Sequence, residues 1–163
     1  MYTLIDGKKV AGQVLEKIAK EVATLKAAGK TVTLAVIIVG DDPASRVYVN
    51  NKKLDCEKVG IRSLEYALPA DTKQEELMAL IGDLNSRDDV DGILCQLPIP
   101  KHLDEKAVLN AISPKKDVDA FHPENVGHIM LGDFVFLPCT PAGVMELLHA
   151  YNVPIEGKHC VVV

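Results

Sequence analysis

Apolar positions recur along this chain in two alternating rhythms. Val10, Val14, Ile18, Val22 and Leu25 fall at helical spacing, and Gly29 closes that segment. Val32 to Val39 (VTLAVIIV) is an almost unbroken β-branched run, the pattern of a strand buried on both faces. In the Gly40-Asp41-Asp42-Pro43 turn, Asp42 and Pro43 suit the N-cap and first turn of a helix. That helix passes Tyr48 and Lys52 and ends at Gly60. Ile61 to Leu68 reads as a second strand, stopped by Pro69. Asp71, with Gln74 three residues on, has the form of a capping box before Leu77, Leu80, Ile81 and Leu84. Gly92 to Leu97 (GILCQL) is a third buried strand, closed by Pro98-Ile99-Pro100.

A short helix through Val108, Leu109 and Ile112 comes next. Ser113 to Pro138, rich in Pro, Gly, Asp and His, is expected to be irregular. Thr140-Pro141 has the form of a cap and first turn, opening a helix to about Tyr151, and an apolar strand is expected over Cys160 to Val163. Strands alternating with helices predict an α/β fold in three layers, a mostly parallel sheet with helices on both faces. The final strand reads equally as the last of that sheet or as the first of another domain.

Composition narrows the function classes. The 163 residues suffice for one domain with a real core, or one domain and part of a second. Apolar residues make up 48% and charged ones 25%, the profile of a soluble globular protein. A net charge of −5 offers no footprint for nucleic acid. No apolar run reaches membrane-span length, and the N-terminus lacks the basic-then-apolar order of a signal peptide, so no membrane partner is expected. Cys56, Cys95, Cys139 and Cys160 are too scattered for a zinc site or a disulfide framework. All four are expected to be small buried hydrophobes in a reducing cytoplasm.

Three places carry candidate chemistry. Ser45, Tyr48 and Lys52 lie at i, i+3 and i+7, so they share a helix face where α/β proteins place ligands, after a parallel strand. There an aromatic ring can stack on a flat heterocycle while an amine moves protons. Spacing alone leaves the ordinary alternative open, a solvated helical lysine. Gln96, a polar amide ending an apolar strand, either satisfies a loop or orients a side chain in the cleft. Asp117 and Asp119 flank Val118 and, in extended backbone, point the same way. A carboxylate facing a cleft suits an amino-pyrimidine edge, because it accepts two N–H donors side by side, while spacing alone favours an ordinary loop carboxylate bonding its own backbone. The five histidines show no metal-ligand spacing, so no metal is expected. Neither a GxGxxG nor a P-loop occurs among these residues.

Taken together, four separated motifs resemble the methylenetetrahydrofolate dehydrogenase/cyclohydrolase family. They are Val39-Gly40-Asp41-Asp42-Pro43-Ala44-Ser45-Arg46-Val47-Tyr48-Val49-Asn50-Asn51-Lys52; Asp91-Gly92-Ile93-Leu94-Cys95-Gln96-Leu97-Pro98-Ile99-Pro100; Lys116-Asp117-Val118-Asp119-Ala120-Phe121-His122-Pro123-Glu124-Asn125-Val126-Gly127; and Leu137-Pro138-Cys139-Thr140-Pro141-Ala142-Gly143. Gly157 to Val163 looks like the entry to a nucleotide domain.

The resemblance implies that Tyr48 stacks on a pterin and that Lys52 is the acid/base, effective if desolvation lowers its pKa. It further implies that Gln96 holds and tunes Lys52, that Asp119 anchors the amino-pyrimidine edge, and that Ser45 shapes the pocket. It implies a reduced folate substrate, NADP (or NAD) as cofactor, and a homodimer for the intact enzyme. The expected organisation is then a folate-binding catalytic domain over residues 1–138. Residues 139–163 would be a connecting helix and the first strand of a truncated Rossmann domain, so the chain itself is expected to bind dinucleotide poorly and to lack hydride transfer.

Two residues depart from the family pattern. Ala120 stands where glycine is usual, so a left-handed backbone there would strain the Asp119 loop. Cys95 replaces a more usual apolar residue. The alternatives are a folate-binding module without catalysis, and a receiver-like signalling domain built on Asp41-Asp42. The latter needs an aspartate where Gln96-Leu97-Pro98 stands.

Overall fold

The computed structural model describes residues 3–161. Its elements are α1 (Gly7–Ala27), β1 (Thr33–Val39), α2 (Pro43–Val59), β2 (Arg62–Leu68), α3 (Gln74–Ser86), β3 (Gly92–Cys95), α4 (Glu105–Ala111), α5 (Pro123–Leu131) and α6 (Cys139–Ala150). The three strands form one parallel sheet in the order β2-β1-β3. Because β1 is central, both of its faces must be covered, and its β-branched run supplies side chains to each. Ala35, Ile37 and Val39 enter one core with Leu77, Ile81 and Leu84 of α3 and Val108 of α4. Val36 and Ile38 enter the other with Val49 of α2 and Leu94 of β3. Burying such a side chain contributes about 1.5–3 kcal/mol. This is the expected three-layer α/β arrangement.

The caps that fix α2 also fix the site. The Asp42 carboxylate accepts the Ser45 amide at 2.7 Å, Pro43 fills the first turn, and Gly60 at φ +85° ends the helix. The bond from Ser45 holds the Asp42 carboxyl below the usual carboxylate range. At the end of β3 the chain continues the ladder for one more residue, as the Gln96 amide donates to the Ile37 carbonyl at 2.8 Å. It then turns through a cis Leu97–Pro98 peptide.

Four expectations need correction. Asp71 does not cap α3: the helix starts after Lys73, whose amide donates to the Glu76 carboxylate at 3.2 Å. Ser113 to Pro138 is not wholly irregular, since it contains α5. Pro123 opens that helix, the His122 ring accepts the Glu124 amide at 3.2 Å, and Gly132 at φ +81° ends it. Only Asn125 of α5 is buried, so no apolar stripe betrays the helix in the sequence. Thr140 is not a cap, because α6 begins at Cys139 and Pro138 precedes it. Finally, Cys160 and Val161 form no strand. A strand needs a neighbour to take its backbone bonds, and none stands beside them among the described residues. Val162 and Val163 lie outside the described residues.

Among the described residues, no helix is long and apolar enough to cross a membrane. All four cysteines are free, but only Cys56 and Cys95 are buried; Cys139 and Cys160 are exposed, contrary to expectation. Both exposed thiols lie outside the two cores, on or beyond α6, a helix that buries none of its own residues.

Candidate active site

A cavity of about 650 Å³ lies against the sheet face covered by α2. Leu15 and Ile18 of α1, with Leu34, Leu94 and Val118, form its apolar walls. Tyr48, Lys52, Gln96 and Asp119 share the same cavity. α2 supplies the first two because residues at i and i+4 of a helix lie on one face. β3 delivers Gln96 at the sheet's carboxyl edge, and the segment that bridges to Ile93 delivers Asp119.

The polar groups are mutually oriented. Lys52 Nζ donates to Gln96 Oε1 at 3.0 Å, and Gln96 Nε2 donates to the Leu97 carbonyl at 2.8 Å. With its amide nitrogen committed to the backbone, Gln96 turns its oxygen to the amine. Lys52 Nζ also stands 5.8 Å from the centroid of the Tyr48 ring, within cation–π range. Tyr48 is 61% exposed, which leaves ring surface free for a flat ligand.

Burial pushes the Asp119 carboxyl above the usual carboxylate range; the charge of Lys52 opposes this and that of Asp117 adds to it. Burial likewise pushes the Cys95 thiol up to about 12 and raises that of Cys56. These two cavity-wall thiols are held in the uncharged form and behave as hydrophobes.

Ser45, an expected site residue, and Asp117, the neighbour of Asp119, stand elsewhere. Ser45 is buried and does not line the cavity; its Oγ lies 3.4 Å from the Leu97 carbonyl, so it touches the turn that holds Gln96. Asp117 does not share the outlook of Asp119. It is buried, and its carboxylate accepts from the His122 amide and the Asn125 side chain. Asp55, Phe121 and Thr140 line the cavity but were not singled out from sequence. For Asp55 the signal was available, since it lies three residues beyond Lys52 on the same helix face. No histidine lines the cavity: His122 caps α5, His102 meets the Thr72 carbonyl at 2.9 Å, and His128 meets Asp133 at 2.9 Å.

Two backbone positions control where Asp119 sits. Ala120 takes φ +56°, in the left-handed region. This conformation costs an L-residue about 1–2 kcal/mol, so the strain expected of alanine at this place is present. Gly92 lies directly under Val118: a Cβ there would meet Val118 Cγ1 at 2.6 Å. Val118 is stiff at χ1 and cannot swing aside cheaply. Gly92→Ala is therefore expected to destabilise the chain by about 1–2 kcal/mol, read as a lowered urea midpoint. An unchanged midpoint would show that Val118 yields freely.

The fold and site define an α/β domain whose polar groups gather in one cavity at the carboxyl edge of its parallel sheet. The model of the tetrahydrofolate dehydrogenase/cyclohydrolase catalytic domain matches residues 5–119, and the chain belongs to this family. It is 56% identical over 162 residues to bifunctional protein FolD of Lachnoclostridium phytofermentans, covering 99% of this chain and 57% of that protein. It is 57% identical over 160 residues to FolD of Acetivibrio thermocellus, covering 98% and 56%. The crystal structure of the bifunctional FolD enzyme from Campylobacter jejuni superposes with a TM-score of 0.92 at 49% identity, covering 96% of this chain and 56% of that one. A Trypanosoma brucei FolD complexed with NADP and inhibitor gives a TM-score of 0.91 at 36% identity, covering 96% and 54%. The chain thus spans little more than half the length of the curated relatives it matches.

Proposed function

We propose that this chain is the folate-binding catalytic part of a bifunctional methylenetetrahydrofolate dehydrogenase/cyclohydrolase. The observation that carries the reading is the convergence of Tyr48, Lys52, Gln96 and Asp119 on one cavity, with Lys52 Nζ 3.0 Å from Gln96 Oε1. The substrate is a reduced folate. Its pterin stacks on the Tyr48 ring, its amino-pyrimidine edge meets Asp119, and its one-carbon bridge faces Lys52.

For the hydrolytic step the substrate is the 5,10-methenyl cation, already electrophilic at the bridging carbon. A water adds to that carbon, and Lys52 Nζ is the group placed to take the proton that the water loses. The carbon–N5 bond then breaks as N5 receives a proton from the Lys52 ammonium, the hydroxyl of the adduct releases its proton to solvent as the carbonyl forms, and 10-formyltetrahydrofolate leaves. Gln96 holds the amine through this cycle by accepting one of its hydrogens.

Oxidation of the methylene form requires a nicotinamide dinucleotide to accept hydride, NADP or NAD in the intact enzyme. The residues described do not fit its phosphates. Glycines with positive φ occur singly, at 29, 40, 60, 132 and 157, and none forms the paired-glycine turn at a helix start that such phosphates need. No hydride-transfer step is assigned to these side chains. Residues 1–138 are read as the catalytic domain and 139–163 as the connection to the dinucleotide domain. The intact enzyme is read as a cytoplasmic homodimer.

Isothermal titration of this chain with 5-formyltetrahydrofolate, a stable reduced folate, tests the reading. Saturable binding that Tyr48→Ala weakens is the expected result. Absence of binding, or binding indifferent to Tyr48, would overturn it.

A further inference from the structure

The loop that carries Asp119 is fastened on every side. The Ile93 amide donates to the Lys116 carbonyl at 2.7 Å, which lays Lys116 and Asp117 along the free edge of β3. Lys116 Nζ donates to the carbonyls of Leu84 at 3.1 Å and Arg87 at 2.6 Å, closing the end of α3. Within this frame Asp117 is only 3% exposed. A single oxygen, Oδ2, accepts the His122 amide at 2.8 Å and Asn125 Nδ2 at 3.0 Å. Asn125, itself buried, also donates to the Pro114 carbonyl at 3.0 Å. These bonds tie both ends of a turn whose middle holds Asp119 and Ala120. The Ala120 amide donates back to the Asp117 carbonyl at 3.2 Å, with Ala120 at φ +56°.

A strained backbone persists only where its surroundings over-determine it. We infer that Asp117, with Asn125, is a positioning residue for the folate anchor: its carboxylate holds the left-handed turn at Ala120 closed and so aims Asp119 into the cavity. The inference rests on the reading of Asp119 as the contact to the pterin. Without Asp117, Ala120 relaxes towards negative φ and carries Asp119 with it. If residue 120 is glycine, the left-handed turn costs nothing, and the clamp matters much less.

That coupling distinguishes positioning from plain structural support. In titrations of this chain with 5-formyltetrahydrofolate, Asp117→Ala is expected to raise Kd by about tenfold. Asp117→Asn is expected to stay close to wild type, because both bonds land on one oxygen, which an amide also presents. Adding Ala120→Gly to Asp117→Ala should restore most of the lost affinity. If Asp117 merely supported the fold, its loss would lower the unfolding midpoint and leave Kd unmoved, or the glycine would bring no rescue; either result overturns the inference. If Asp117→Ala does not fold, Asn125→Ala with and without Ala120→Gly carries the same comparison. Failure of the wild-type chain to bind would remove the anchor reading, and this inference with it. That outcome is distinct from equal binding by wild type and Asp117→Ala.

Discussion

Lys52→Met should lower cyclohydrolase turnover of the intact enzyme by about 10²–10⁴-fold while leaving reduced-folate binding nearly intact. Methionine keeps the unbranched length that runs along the cavity wall but has neither the proton that donates to Gln96 nor a nitrogen able to accept one. The ligand-holding surfaces, the exposed Tyr48 ring and the Asp119 carboxylate, are untouched by the change. Loss should therefore fall on kcat and not on KM, the sign of an interaction made in the transition state. The measurement is the decay of methenyl absorbance under saturating substrate, paired with a folate titration. Turnover unchanged by Lys52→Met would remove the amine from the chemistry. Loss of binding together with turnover would make Lys52 a ligand contact and not an acid/base.

Which parts of this architecture are readable in advance depends on whether the chain's own periodicity carries them. β1 announces itself because both faces are buried, and a strand buried on both faces is a continuous apolar run. α2 announces itself through Asp42, Pro43 and Gly60, and its face brings Tyr48 and Lys52 together by arithmetic alone. α5 escapes because only Asn125 is buried; Met130 and Leu131 stand 82% and 77% exposed, so its apolar residues mark no core-facing stripe. The convergence of α2 with Gln96 and Asp119 is a tertiary fact. Lys52 and Gln96 are 44 residues apart in the chain, and no local pattern encodes their 3.0 Å contact. The family resemblance brought those two residues together ahead of the structure; residue spacing did not.

The same limit explains the aspartate pair. Alternation in an extended segment puts Asp117 and Asp119 on one side. The turn closed by the Ala120 amide and its φ of +56° breaks the alternation just where it would matter. One carboxylate is consumed by backbone and amide donors, and the other is left facing Lys52 across the cavity. Ala120 supplies the clue in the sequence, because the family resemblance leads one to expect glycine there, the residue that turns left-handed without strain.

Asp119→Asn should stabilise the fold near neutral pH and, in the same molecule, weaken reduced-folate binding by about a hundredfold. The carboxyl of Asp119 is raised above its ordinary value of 3.8, with burial as the largest cause. The folded state therefore holds its proton more tightly than the unfolded chain does. The stability cost is absent below about pH 3.8, grows as pH rises towards the raised folded value, and is fully present above it. Asparagine, uncharged and of the same shape, never incurs this cost. Its gain over wild type in urea midpoint should be clear at neutral pH and should shrink as the solution is acidified. Ligand affinity should move the other way, because asparagine replaces one acceptor oxygen with a donor that faces the donors of the amino-pyrimidine edge. Equal midpoints at neutral pH would show that Lys52 fully offsets the burial of this carboxyl. A gain that did not fade with acid would assign the stabilisation to packing and not to charge. Equal affinity would mean that the pterin is anchored elsewhere in the cavity, at Gln96 or Thr140.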